Sequence, residues 1–277
     1  MPELRTHDGV RLEWSERGSG RDAVLVPYWG MHPSVFARLA DALESDHRLI
    51  SYDDRGTGRS QATGPYDMET SSADLAAVCE AAGASDAVAI CLVDAGNRAV
   101  RVARSRPELI ASVVCIGGAP LPLSAFASSE AMISSSTVVG AFRQMIETDF
   151  RGAFRSMLAD TNTQLTEEAL RERVAMQVEY SPQEPTVERL NAWASDEEGV
   201  TVARRIGPRL HMLLSPNAGG GWFPEVSELR RVIERELPGA RITEVEDGIV
   251  TAPGANADAI RAIGDLAPSE PDYHRQT

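Results

Sequence analysis

An aspartate stands where an apolar run gives way to a helix. In Ala87–Val100 (AVAICLVDAGNRAV) the small and β-branched residues end at Val93, Asp94-Ala95-Gly96 breaks the run, and helix-compatible residues follow. Strand, sharp turn and helix in succession lift one side chain clear of a sheet edge. A carboxylate at that turn lies in the field of a helix N-terminus, which favours its anion. Such a group can attack carbon, accept a proton as a general base, or simply cap its helix.

Other reactive groups are sparse. There is no lysine: all 27 basic residues are arginines, which excludes a lysine Schiff base and a phosphate-loop lysine. Cys79, Cys91 and Cys115 are odd in number, sit in apolar surroundings and lack metal-ligand spacing, so they read as buried free thiols in a reducing compartment. No metal constellation occurs, and no cofactor is expected, because Gly56-x-Gly58 lacks the helix-opening context of a dinucleotide site.

The residues that could act must be positioned by an alternating pattern. Strand-like segments fall at Val10–Glu16, Ala23–Pro27, Arg48–Tyr52, Ala87–Val93 and Ala111–Ile116, with helical segments near 34–43, 71–82 and 96–105 between them. Continuous apolar strands alternating with helices imply a mostly parallel sheet covered on both faces, an α/β fold. From 123 to 200 strand signals vanish and helical stretches such as 166–178 and 186–194 take over, which reads as a helical cap. The pattern returns with a strand at 209–214, a helix near 225–236, a strand at 241–245 and a helix near 256–266. The expected organisation is thus 1–122 core, 123–200 cap, 201–267 core and 268–277 tail.

Composition bounds the partners. A net charge of −14, with 43% hydrophobic and 25% charged residues, argues against nucleic acid and anionic membrane surfaces. No run approaches ~20 apolar residues and the first ten residues carry no apolar stretch, so a cytoplasmic location is expected. A small apolar substrate is the expected partner, with a homodimer left open.

The stretch Arg48-Leu-Ile-Ser-Tyr-Asp-Asp-Arg-Gly-Thr-Gly-Arg-Ser60 resembles the D-x-R-G-x-G-x-S segment of α/β-hydrolase-fold proteins. Ser72-Ala-Asp-Leu75, the strand–turn–helix at Asp94 and Arg106-Pro-Glu-Leu109 extend the resemblance in order along the chain. It implies a capped α/β-hydrolase fold with Asp94 at the position that usually holds a serine nucleophile within G-x-S-x-G. Aspartate there is the nucleophile of the haloalkane dehalogenase and epoxide hydrolase branches. The rest of the triad departs from the pattern. Asn217 falls near the acid position and Ile249 where the histidine should be, and no histidine occurs between His211 and His274.

Of the five histidines, His7 and His47 precede strands at the opposite sheet edge, His211 lies inside a strand and His274 in the tail. His32, in Pro27-Tyr-Trp-Gly-Met-His-Pro33, lies in the loop that the resemblance assigns to half of the oxyanion hole. Backbone N–H groups of Tyr28 or Trp29 and of Ala95 are then candidates to face an oxyanion, and His32 a candidate acid or base beside Asp94. Trp222, Tyr180 and Trp193 are candidate pocket walls together with Asn217, while Asp53, Asp54 and Arg55 are expected to fix loop structure. An aspartyl ester needs an activated water for its release, so the missing histidine separates three readings. The first is non-hydrolytic acid/base chemistry (proton abstraction, cyclisation, elimination or rearrangement) with Asp94 as base. The second is hydrolysis with Asp94 as nucleophile and another base. The third is an inactive protein that binds a ligand or partner.

Overall fold

The structure, a computed structural model, describes residues 3–92, 95–126, 140–141, 143–161, 165–215, 226–245 and 253–265. Eight strands form one sheet: β1 (Glu3–Arg5), β2 (Arg11–Gly18), β3 (Arg21–Val26), β4 (His47–Tyr52), β5 (Ala87–Leu92), β6 (Ile110–Ile116), β7 (Leu210–Leu214) and β8 (Arg241–Glu244). Their order is β1-β2-β4-β3-β5-β6-β7-β8. β1 pairs antiparallel with β2, and β2 with β4; every later pairing is parallel. All residues of β5 and β7 are buried, which is why β5 reads as an unbroken apolar run and β7 as one interrupted only by His211.

The strand order also says where a ligand belongs. From β3 the chain moves to one side to make β4, and β5 then returns to the other side of β3. The direction of winding switches between β3 and β5, and in open α/β sheets a crevice opens at such a switch beyond the strands' C-terminal ends. The loops that follow β3, β4 and β5 all emerge at that edge.

The helices are α1 (Ala37–Leu43), α2 (Met68–Ala81), α3 (Gly96–Ser105), α4 (Phe150–Thr161), α5 (Glu167–Tyr180), α6 (Gln183–Ala194), α7 (Glu197–Ile206), α8 (Val226–Glu236) and α9 (Pro253–Asp265). α2 starts three residues before the sequence expectation because Asp67 caps it, accepting from the Thr70 N–H at 2.7 Å. α2, α3, α7 and α8 bury Leu75, Val100, Ile206 and Ile233 against one face of the sheet. α1 and α9 bury Leu43 and Ile260 against the other. α4, α5 and α6 make the helical layer expected between β6 and β7, with a third core around Phe154, Val174 and Leu190. The expected boundary at 200 falls inside α7, whose Val202, Ala203 and Ile206 pack with the main core. β1 has no sequence signal, being three residues long and largely exposed.

Gly96, the first residue of α3, sets how closely that helix approaches the sheet. A Cβ there would stand 2.7 Å from the Cys115 Sγ on β6. Gly96→Ala is therefore expected to destabilise the fold by about 1–3 kcal/mol, as overpacked cores do. Adding Cys115→Ala should recover much of that loss in urea unfolding, and strictly additive losses would contradict the contact.

His211 gives the fold a pH dependence. Buried in β7, its pKa falls from 6.5 to about 4, first through burial and then through Arg241. Between those values the unfolded chain takes up a proton that the folded chain refuses, so stability should fall as pH drops from about 6.5 towards 4. The His32 pKa is lowered in the same sense by burial, against Asp53. His211→Gln should flatten the slope of unfolding free energy over this range; an unchanged slope would remove His211 from the account.

Candidate active site

β5 ends at Leu92 and α3 is capped by Ala95, so two residues, 93 and 94, join strand to helix. Asp94 lies outside the described residues, as do Asn217, Trp222 and Ile249. The elements that flank Asp94, β5 and α3, are described up to Leu92 and from Ala95. Ala95 is buried and brings no side-chain hydrogen bond to the first turn of α3. A helix N-terminus of that kind attracts negative charge at the position in front of it.

Arg98, one turn into α3, ties this helix to the neighbouring loops. Its guanidinium donates to the Pro27 carbonyl at the end of β3 and, at 2.6 Å, to Asp54 Oδ1 after β4. Arg189 reaches down from α6, donates to the Arg55 carbonyl and stands 4.0 Å from Asp54 Oδ2. The Tyr66 ring lies 5.1 Å from the Arg189 guanidinium carbon. Arg55 forks onto Asp74 through two bonds of 2.7 Å and donates to Asp8 at 2.9 Å. These three arginines are the largest fully buried side chains among the described residues. Burial lowers the Arg189 pKa, and Asp54 opposes that loss.

Two of the sequence candidates meet around Asp53, a residue expected only to fix loop structure. The His32 and Tyr180 rings meet edge to face at 4.8 Å. Tyr180 Oη donates to Asp53 Oδ1 at 2.8 Å, and the Arg59 N–H donates to Oδ2 at 3.0 Å. His32 also caps the turn at 33–36, its Nδ1 accepting from the Ser34 N–H at 3.1 Å. The expected partnership of His32 with Asp94 involves a residue outside the described ones; among the described residues His32 faces Tyr180 and Asp53.

The side chains of Tyr28, Trp29 and Trp193 pack in or against one apolar cluster. Trp29 is buried in the cap core, stacked on Phe154 at 6.0 Å, with Tyr28 edge-on at 5.6 Å. Trp193 is buried in the same cluster, and its Nε1 has no hydrogen-bond partner among the described residues. The loop after β3 thus presents an apolar aromatic surface to the cap. His47 begins β4 and His211 is the second residue of β7, so both lie towards the strands' opposite ends. Among the described residues no group of His, Cys, Asp and Glu could hold a metal ion, and no helix is long and apolar enough to cross a membrane.

Sequence reasoning missed Arg98, Arg189 and Gln177. Gln177 on α5 accepts from the His32 N–H and donates to the Gly30 carbonyl, each at 2.9 Å, clamping the cap to the loop after β3. Nothing in the local sequence separates these residues from their exposed neighbours, because the partners of each are contributed by distant loops.

Asp54→Asn leaves Arg98 and Arg189 buried without their shared carboxylate. It is expected to cost about 3–5 kcal/mol in urea unfolding. Asp41→Asn, which breaks an exposed pair with Arg17, should cost less than about 1 kcal/mol. Equal losses would contradict the burial argument.

No family model matches the chain. A non-heme haloperoxidase of Rhodococcus erythropolis is 32% identical over 123 residues, which is 43% of this chain and 45% of that protein. A pimeloyl acyl-carrier-protein methyl ester esterase of Vibrio atlanticus is 28% identical over 152 residues, 53% of this chain and 56% of the relative. The matched stretches thus span about half the length of these relatives. The crystal structure of a bromoperoxidase from Bacillus anthracis superposes with a TM-score of 0.76 at 15% identity, covering 95% of this chain and all of that one. Agreement over so much of both chains extends the sequence resemblance from a few motifs to the whole sheet and its helical layers, and the chain has the α/β-hydrolase fold.

Proposed function

We propose that the chain is a cofactor-independent enzyme in which Asp94 acts as general base on a small apolar metabolite, in a non-hydrolytic reaction. The observation that carries this reading is a carboxylate residue in the two-residue join between β5 and α3, whose N-cap Ala95 brings no side-chain hydrogen bond. His47 and His211 lie towards the other edge of the sheet, and Nδ1 of His32 is committed to its own turn. The names of the relatives, a haloperoxidase and an esterase, support an enzyme of this fold.

In this reading Asp94 takes a proton from carbon beside a carbonyl, and the electron pair moves onto the carbonyl oxygen. The N–H groups at the start of α3 and in the loop at Tyr28 and Trp29 are the donors nearest that charge in this fold. The apolar cluster where the cap meets the loop after β3, around Trp29, Phe154 and Trp193, supports the choice of an apolar substrate. Asn217 and Trp222 remain candidate walls. His32 is left out of the proton step because its ring sits between its own turn and Tyr180.

The test follows proton abstraction itself. A panel of small apolar ketones and esters with acidic C–H bonds is incubated with the protein in D2O and read by proton NMR. A subset should exchange, and Asp94→Asn should slow exchange by about 10²–10⁴-fold with melting unchanged. A covalent ester on Asp94, seen as a mass increment on the intact protein, would move the assignment to a hydrolase with an aspartate nucleophile. Undiminished exchange by Asp94→Asn would overturn the reading.

A further inference from the structure

A cavity of about 330 Å³ opens beside β2 and β4, on the side of β3 away from β5. Trp14, His32, Asp53 and Tyr180 line it, with Glu13 and Arg59 at its charged margin. That volume is at the small end of ligand-binding cavities.

Charge bookkeeping separates Asp53 from its neighbours. Asp54 pairs with Arg98, and Arg55 with Asp74 and Asp8. Glu13 pairs with Arg11. Asp53 is half-buried and forms no ion pair among the described residues. Its two bonds come from neutral donors, Tyr180 Oη and the Arg59 N–H. A carboxylate offers about four acceptor sites, so two remain. Arg59 is exposed, and its guanidinium makes no ion pair with Asp53. Burial holds the His32 pKa below 6.5, so at neutral pH that ring is largely uncharged.

The walls complement this unbalanced charge. Trp14, Tyr180 and His32 contribute rings, and indole and phenol faces attract cations that have shed water. A half-buried anion with spare acceptor sites, set among aromatic rings, is a receptor for a cation that can also donate hydrogen bonds. We propose that this cavity binds a small organic cation bearing a primary ammonium group, with Asp53 as its counter-ion and Trp14, His32 and Tyr180 as its walls. The ammonium donates to Asp53, and a short apolar tail lies along the rings. Tyr180 belongs to α5 and its hydroxyl already holds Asp53, so an occupant bridges the sheet edge and the cap.

The inference is independent of the role given to Asp94, and the test keeps them apart. n-Butylammonium is titrated into the full chain at pH 8 by calorimetry and by NMR of the tryptophan indole N–H signals, with 1-butanol as a neutral probe of similar shape. Saturable butylammonium binding is expected, with 1-butanol at least tenfold weaker. Asp53→Asn should weaken butylammonium at least tenfold, whereas Asp94→Asn should leave it unchanged. Tyr180→Phe keeps the ring and frees one Asp53 oxygen, so binding should persist and serves as a check should Asp53→Asn fail to fold. Trp14→Leu should weaken binding several-fold. The proposal is overturned if butylammonium does not saturate, if 1-butanol binds as well, if Tyr180→Phe abolishes binding, or if Asp94→Asn rather than Asp53→Asn removes it.

Discussion

Three guanidinium groups buried beneath the loops at the sheet's C-terminal edge are the constraint on which the rest depends. An unpaired charge in that position costs several kcal/mol, so the chain must bring carboxylates to meet the arginines. Arg98 comes from the helix after β5, Asp54 and Arg55 from the loop after β4, Asp74 from α2 and Arg189 from the cap. Folding any one segment into place without the others leaves a charge uncompensated. The Arg98 bond to the Pro27 carbonyl adds the loop after β3 to the same set. The loops after β3 and β4, α2, α3 and the cap are thereby tied to one another by charge, above a sheet packed between two apolar cores.

Much of the scaffold was legible. The apolar runs at Ala87–Leu92 and, apart from His211, Leu210–Leu214 suit short strands buried on both faces, and the alternation with helices points to parallel pairing. The helical layer between β6 and β7 followed from the loss of strand signals. Boundaries depended on single side chains: Asp67 draws the start of α2 forward, and α7 runs through the expected edge of the cap because its apolar face belongs to the core.

The candidate site was legible only in part, for a physical reason. Asp94 is conspicuous because its local sequence is strand, turn and helix. Asp53 and Asp54 are adjacent and chemically identical, yet one pairs with a buried arginine and the other lines an aromatic cavity. Neighbouring residues diverge in this way when their partners come from elements 44 and 127 positions away, as Arg98 and Tyr180 do. Periodicity carries no information at that range. His32 illustrates the converse: its place in the loop after β3 was evident, but its capping bond and its contact with Tyr180 were not.

The corner where α5 meets α6 concentrates the polar contacts of the cap with the sheet. Gln177 is bonded on both sides to the loop after β3, the Tyr180 carbonyl accepts from the Gly58 N–H at 2.7 Å, and Ser181 packs over Gly30, where a side chain would overlap it. Gly30 and Gly58 both have positive φ, so each turn gives the corner a close seat. Seen mechanically, this corner is a fulcrum. A rotation of the cap that kept these contacts would pivot there, while just beyond the other end of α6 Asp196 accepts from Asn97 and Arg101 of α3 and ties that end down as well. An occupant of the cavity at Asp53 would load that pivot directly, through Tyr180.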